Sequence, residues 1–355
     1  MESIQLLQEF SNAFGPSGFE DDVLAVARAH APATAAITED SLRNLYIRRT
    51  GAPTQKPVVM LDAHTDEVGF MVQAVKPNGL LQIIPLGGWA ANTVPAHTVE
   101  VQNRKGCFHT GVLAAKPLHY LSEAERKAPP DLAKIHIDLG ASSAEEIREH
   151  FGIGPGAPAA PNSSFQYNES TGIIMGKAFD CRAGCACVLE VIACIEQEDL
   201  AVNPVGVLSS QEEVGLRGAV VAARATNPAV AIVFEGCPAD DGFAESWAAQ
   251  TVLGKGPMLR HIDGRMITNP RLMRLVLNIA QRENIPVQEA VRSNGGTNGG
   301  TIHLAGNGIP TVVIGLPVRY IHTHTGYAHI SDYHNCVKLG RALLRQLSPE
   351  IIAGL

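Results

Sequence analysis

The stretch VGVLSSQEEVGLRGA, residues 205–219, sets the architecture. Its first six residues are an apolar run with no polar alternation, the pattern of a strand buried on both faces of a parallel sheet. Two adjacent carboxylates, Glu212 and Glu213, follow at once, ahead of a glycine-rich turn. Side by side, such groups repel and are costly to bury unless a cation or a shared proton lies between them. Other parts of the chain must supply that partner, or the pair is a solvated turn.

Three further runs have the same character: PVVMLDA at 57–63, AVAIVF at 229–234 and PTVVIG at 310–315. Helical spacing alternates with them at 2–14, 20–30, 183–197, 270–283 and 331–347, the last behind an N-cap candidate at Ser331 or Asp332. Strands alternating with helices predict an α/β domain. From residue 68 the texture changes. VGFMVQAVKPNGLLQIIPLGG (68–88) and HTVEVQNRKGCFHTGVLAA (97–115) each read as two strands about a glycine-containing turn, and GIGPGAPAAPNSSFQYNES (152–170) reads as a loop leading back. The expected organisation is an α/β domain of residues 1–67 and 166–355, interrupted by an all-β insert at 68–165.

A length of 355 residues suits such a two-domain chain. The net charge of −7 leaves no basic stripe, which argues against nucleic-acid partners. The start, MESIQLLQEFSNAFG, has no positively charged n-region, and no run approaches the roughly 18 apolar residues of a membrane span. A cytoplasmic protein with no membrane role is expected. Cys181, Cys185, Cys187 and Cys194 cluster within FDCRAGCACVLEVIACIE. Cys181 and Cys185, four apart, would suit a thiolate metal site, but Cys185, Cys187 and Cys194 lie among aliphatic residues and read as small buried hydrophobes of a helix, with no disulfides expected.

Open α/β sheets place their chemistry beyond the carboxyl ends of the strands. The four runs lead there to His64 and Asp66, to Glu212 and Glu213, to Glu235, and to His322 and His324, while Asp180 precedes a helix. Any one of these has an ordinary explanation, a cap or a surface histidine. Their convergence makes a plausible nitrogen and oxygen shell for zinc or a similar divalent ion. Such an ion would also relieve the repulsion between Glu212 and Glu213. In HTD, positions 64 and 66 of an extended segment face the same way, so His64 can ligate while Asp66 orients its ring. In QEE, neighbouring side chains diverge, so one carboxylate can ligate and the other can act as a general base.

The ordered motifs AHTDEVGF, GGW, FDCRAGCAC, SSQEEVGLRGA, AIVFEGCPADD, GGTNGG and PVRYIHT resemble those of the tetrahedral aminopeptidases, whose relatives include glutamyl and deblocking aminopeptidases. The resemblance spans nearly the whole chain. It implies a phosphorylase/hydrolase-like three-layer α/β catalytic domain with an inserted β-barrel that helps build a tetrahedral dodecamer. It also implies two divalent metal ions per subunit, zinc with cobalt often substituting, bridged by Asp180. His64 and Glu235 would complete one site, Glu213 and His322 the other, and Glu212 would be the base. Peptides would be the substrates. Three positions depart from the family pattern: Glu235 and Asn298 stand where Asp is frequent, and His322 is followed by Thr-His instead of Ser-Pro. The nearest rival enzyme is a carboxypeptidase, dipeptidase or N-deacylase using the same metal pair. The rival outside enzymology is a metal-stabilised assembly protein, for which an unligated Glu212 would serve no purpose.

Overall fold

The computed structural model describes residues 2–51, 55–114 and 116–355; Ala115, the last residue of the second expected hairpin, lies outside them. An eight-stranded sheet runs in the order Ala35–Glu39, Leu45–Arg49, Asn203–Ser209, Val58–His64, Val230–Pro238, Thr311–Val318, Met258–Ile262, Gln288–Val291. The four strands expected from apolar runs are its four central, mutually parallel members. Their sequences show no alternation because both faces are covered. Along Val58–His64, Val59, Leu61 and Ala63 join a core with the helices Glu2–Asn12, Asp21–His30, Phe179–Cys194, Pro270–Arg282 and Ile330–Gln346. Met60 points the other way, into a smaller core under the helix Arg217–Thr226.

Six strands, Gly69–Val75, Leu81–Leu86, His136–Asp138, Phe108–Ala114, Thr98–Gln102 and Pro158–Pro161, close a barrel around a separate apolar core. Two expectations need correction here. The segment 152–170 is not all loop: Pro158–Pro161 pairs with both Gly69–Val75 and Thr98–Gln102 and closes the barrel. Its prolines sit at the strand's two ends, and the paired middle consists of fully buried Ala159 and Ala160, so composition hid it. Nor is the insert all-β, since Glu123–Lys127 is a helix with a Ser122/Glu125 capping box and a helical segment runs from Ala144 to Phe151.

Two smaller differences are local. The last helix is capped neither by Ser331 nor by Asp332 but by His329, whose Nδ1 accepts the Ser331 N–H at 3.1 Å. Asp332 instead accepts the backbone N–H groups of Gly254 and Gly256. All seven cysteines are free, and Cys194, expected inside, is exposed. Among the described residues, no helix is long and apolar enough to cross a membrane.

One buried ion network ties the amino-terminal helix to the sheet. Glu67 receives Lys177 Nζ at 2.5 Å and Arg182 Nη2 at 3.3 Å, and Arg182 also donates to the carbonyls of Phe10, Ala13 and Gly15. All three charged side chains are buried. Removing the one anion leaves two buried cations unpaired, which costs about 3–5 kcal/mol. Glu67→Gln is therefore expected to lower the denaturant midpoint of unfolding by an amount matching that loss, and an unchanged midpoint would show the network to be energetically idle.

Candidate active site

The strand register brings the candidate residues to one edge. Ser209 pairs with His64 at the ends of adjacent parallel strands, so Glu212 and Glu213 emerge beside His64. On the other side of Val58–His64, the next strand runs on to Pro238, farther than its apolar run suggested, and Glu235 lies within it. Asp180 sits at the entry of Phe179–Cys194 in a non-helical conformation, and His322 lies in the loop after Thr311–Val318.

Asp180 is the hinge of the arrangement. Its Oδ1 is 3.1 Å from His64 Nε2, and its Oδ2 is 3.2 Å from His322 Nε2. Glu235 Oε1 lies 3.3 Å from the same His64 nitrogen, and Glu213 Oε1 lies 3.4 Å from that of His322. Glu212 Oε2 stands farther off, 4.0 Å from His64 Nε2. Donors bound tetrahedrally to one ion at 2.0–2.2 Å are about 3.3–3.6 Å apart, close to the spacing within each half. Glu213 Oε1 and both Glu235 carboxylate oxygens are buried and accept no hydrogen bond from the described residues. Buried acceptors without donors are expensive, and a cation is the partner that would satisfy them. The donor set therefore fits divalent metal.

Cys181 also falls within reach of His64, Asp180 and Glu235. Its thiol donates to the Phe234 carbonyl at 3.0 Å, and burial and then the Glu235 charge push its pKa well up. It stays a protonated core group.

The electrostatics follow from crowding. Burial pushes the Glu212 carboxyl well above its usual range, with Glu235, Glu213 and Asp180 adding to the effect, while Glu213 rises to about 8 and Glu235 to about 7, burial again leading. Burial opposes the charging of both histidines, but their carboxylate neighbours prevail: His322 rises to about 9 and His64 well above its ordinary value. Burial also works against ionisation of Asp180, yet the bonds from His322 and His64 hold it well below the carboxylate range. Four carboxylates facing two imidazoles thus leave an unmet demand for positive charge.

Asp66 does more than was expected of it. The His64 Nδ1 hydrogen bond goes to the Asp66 main-chain oxygen at 3.0 Å, with the carboxylate at 3.3 Å. That carboxylate accepts the N–H groups of Glu212 (2.9 Å) and Glu213 (3.1 Å) and the Ser17 hydroxyl (2.5 Å). Buried Glu20 accepts the Gln211 N–H at 3.2 Å. These bonds hold a strained turn, since Gln211 (φ 53°) and Leu216 (φ 58°) both adopt the left-handed region. Ser17 and Glu20 were not among the expected site residues; the GPSGFE segment that carries them follows none of the apolar runs. Asn298 is more than a turn residue, because its Nδ2 lies 2.8 Å from both Asp62 Oδ2 and Ser209 Oγ beneath the strand ends. An Asp there would set a second buried carboxylate against Asp62.

Gly236 makes room for Asp180: an added Cβ would come within 2.6 Å of the Asp180 Cα. Because the neighbour is backbone, Gly236→Ala must displace Asp180, at about 1–3 kcal/mol. Weaker metal binding and a lower unfolding midpoint are expected together, and a variant with wild-type metal affinity would contradict this packing.

A cavity of about 480 Å³ opens beside the cluster, lined by Glu212, Glu235, His322 and Arg292, and by Gly88 and Ala90 of the insert. Residues 43–339 match the family described as M42 glutamyl aminopeptidase. The chain is 30% identical over 355 residues to the glutamyl aminopeptidase of Lactococcus lactis subsp. cremoris (strain MG1363), covering 99% of each. It is similar to the crystal structure of a TET aminopeptidase from the marine sediment archaeon Thaumarchaeota archaeon SCGC AB-539-E09, with a TM-score of 0.95, 36% identity and 99% of each chain covered. A further similar structure is the Pyrococcus horikoshii TET1 peptidase, which can assemble into a tetrahedron or a large octahedral shell, with a TM-score of 0.86, 26% identity, and 97% of this chain and 100% of that chain covered. This chain belongs to the M42 glutamyl aminopeptidase family.

Proposed function

We propose that the protein removes amino-terminal residues from peptides at a two-ion centre, zinc in the resting enzyme with cobalt able to substitute. His64, Asp180 and Glu235 would hold one ion, Asp180, Glu213 and His322 the other. The observation that carries this reading is the division of Asp180, one oxygen toward each histidine. When bound, the ions would polarise the scissile carbonyl and acidify the attacking water. Glu212, set back from the ligand spacing, takes the proton from that water and passes it to the departing amine. Asp66 fixes the pose of Glu212 through its backbone N–H. Arg292, paired with Asp240, also lines the cavity.

We further infer that residues 1–67 and 166–355 form the catalytic unit and that 68–165 serves assembly into a tetrahedral dodecamer, working in the cytoplasm. The similarity to shell-forming peptidases supports the assembly part of this reading. The test of the two-ion centre is chelation followed by titration with zinc or cobalt. Activity on a free-amino peptide should vanish and return as two equivalents per subunit are added, whereas full activity at one equivalent would remove the bridged pair from the mechanism.

A further inference from the structure

Four rings form a column between the insert and the loop that carries His322. Phe70 stacks on Trp89 (centroids 4.9 Å, 19°), Trp89 lies tilted on His324 (5.0 Å, 46°), and His324 lies flat on His97 (4.1 Å, 10°). Only His324 comes from outside the insert. It is 3% exposed, yet neither ring nitrogen has a hydrogen-bond partner among the described residues. The imidazole is thus used as a flat apolar plate, with the offset and tilted geometries that aromatic pairs favour.

The loop it anchors is under strain. Main-chain hydrogen bonds between Arg319 and Tyr327 close its base, and Tyr320 (φ 62°) and His322 (φ 57°) both occupy the left-handed region within it. Such conformations persist only where the surroundings over-determine them. Inside the loop, Thr323 Oγ1 lies 2.6 Å from the Tyr320 carbonyl and 3.0 Å from that of Thr325. The insert meets the site here as well: a Cβ added at Gly88 would lie 3.3 Å from His322 Nδ1, and one added at Gly87 3.0 Å from Glu213 Oε2.

We propose that His324 is a positioning residue whose ring, held between Trp89 and His97, fixes the strained loop so that His322 faces Asp180 and Glu213. The inference rests on reading the donor cluster as two ion sites. It predicts an asymmetry, because the stack acts on the His322 half. The His64 and Glu235 half hangs on the strands Val58–His64 and Val230–Pro238 and is independent of it.

The test is titration of the metal-free full-length protein with cobalt, followed by visible absorption and calorimetry. Wild type should bind two ions. His324→Ala should weaken one of them by roughly 10- to 100-fold, the range for residues that orient a ligand, and leave the other unchanged. His324→Phe keeps the plate, discards the nitrogens and should restore the weakened site. His97→Ala, a change at an exposed residue, should weaken the same site by a smaller factor, which keeps the test usable should His324→Ala fail to fold. The unfolding midpoint of each metal-free variant separates positioning from general destabilisation. Two unchanged affinities in His324→Ala, equal weakening of both sites, or a Phe variant as impaired as the Ala variant would each overturn the proposal. Fewer than two ions in wild type would overturn the two-ion reading itself, and this inference with it.

Discussion

Asp180→Ala is expected to abolish turnover and to leave the protein unable to retain either ion through purification. Both halves of the donor cluster share this carboxylate, at 3.1 Å from His64 and 3.2 Å from His322, so its loss opens both at once. Metal ions contribute several kcal/mol of transition-state stabilisation to such hydrolysis, and each 1.36 kcal/mol is tenfold in rate, so the loss is on the order of 10³-fold or more. The fold should survive, because the four central strands and their cores do not depend on Asp180. Metal analysis and initial rates on one sample check both halves of the expectation. An Ala variant that keeps two ions would show that Asp180 does not bridge them.

Glu212→Gln is expected to separate binding from chemistry. Glutamine keeps the shape and the backbone bond to Asp66 but cannot accept the proton, so kcat should fall by roughly 10²- to 10⁴-fold. Metal content and KM should stay near wild type, since Glu212 lies outside the 3.1–3.4 Å spacing of the other donors. Loss of metal in this variant would make Glu212 a ligand, and full activity would place the base elsewhere.

The central strands were legible because burial on both faces writes a continuous apolar run, and most of the candidate donors could be named because they lie beyond those runs; Asp180, at a helix entry, does not. The edge strands were not. Ala35–Glu39 and Leu45–Arg49 mix exposed and charged residues, and their pairing is decided by the neighbouring strand. The barrel's closing strand hid behind proline and alanine, which carry almost no strand preference of their own. Supporting contacts of long sequence separation were invisible for another reason. Arg182, just before the helical spacing expected at 183–197, reads as an ordinary charged residue, yet it is fully buried and meets a carboxylate 115 positions away. Likewise nothing local to Gly236 announces that it clears space for Asp180, and nothing local to Ser17 announces Asp66.

The most direct measurement is the initial rate of the metal-loaded protein on paired free and N-acetylated aminoacyl anilides, with the chelated protein as control. The account predicts metal-dependent release from the free-amine substrates and little or none from their blocked counterparts. Equal cleavage of the blocked substrates, or cleavage that survives removal of the metal, would contradict it.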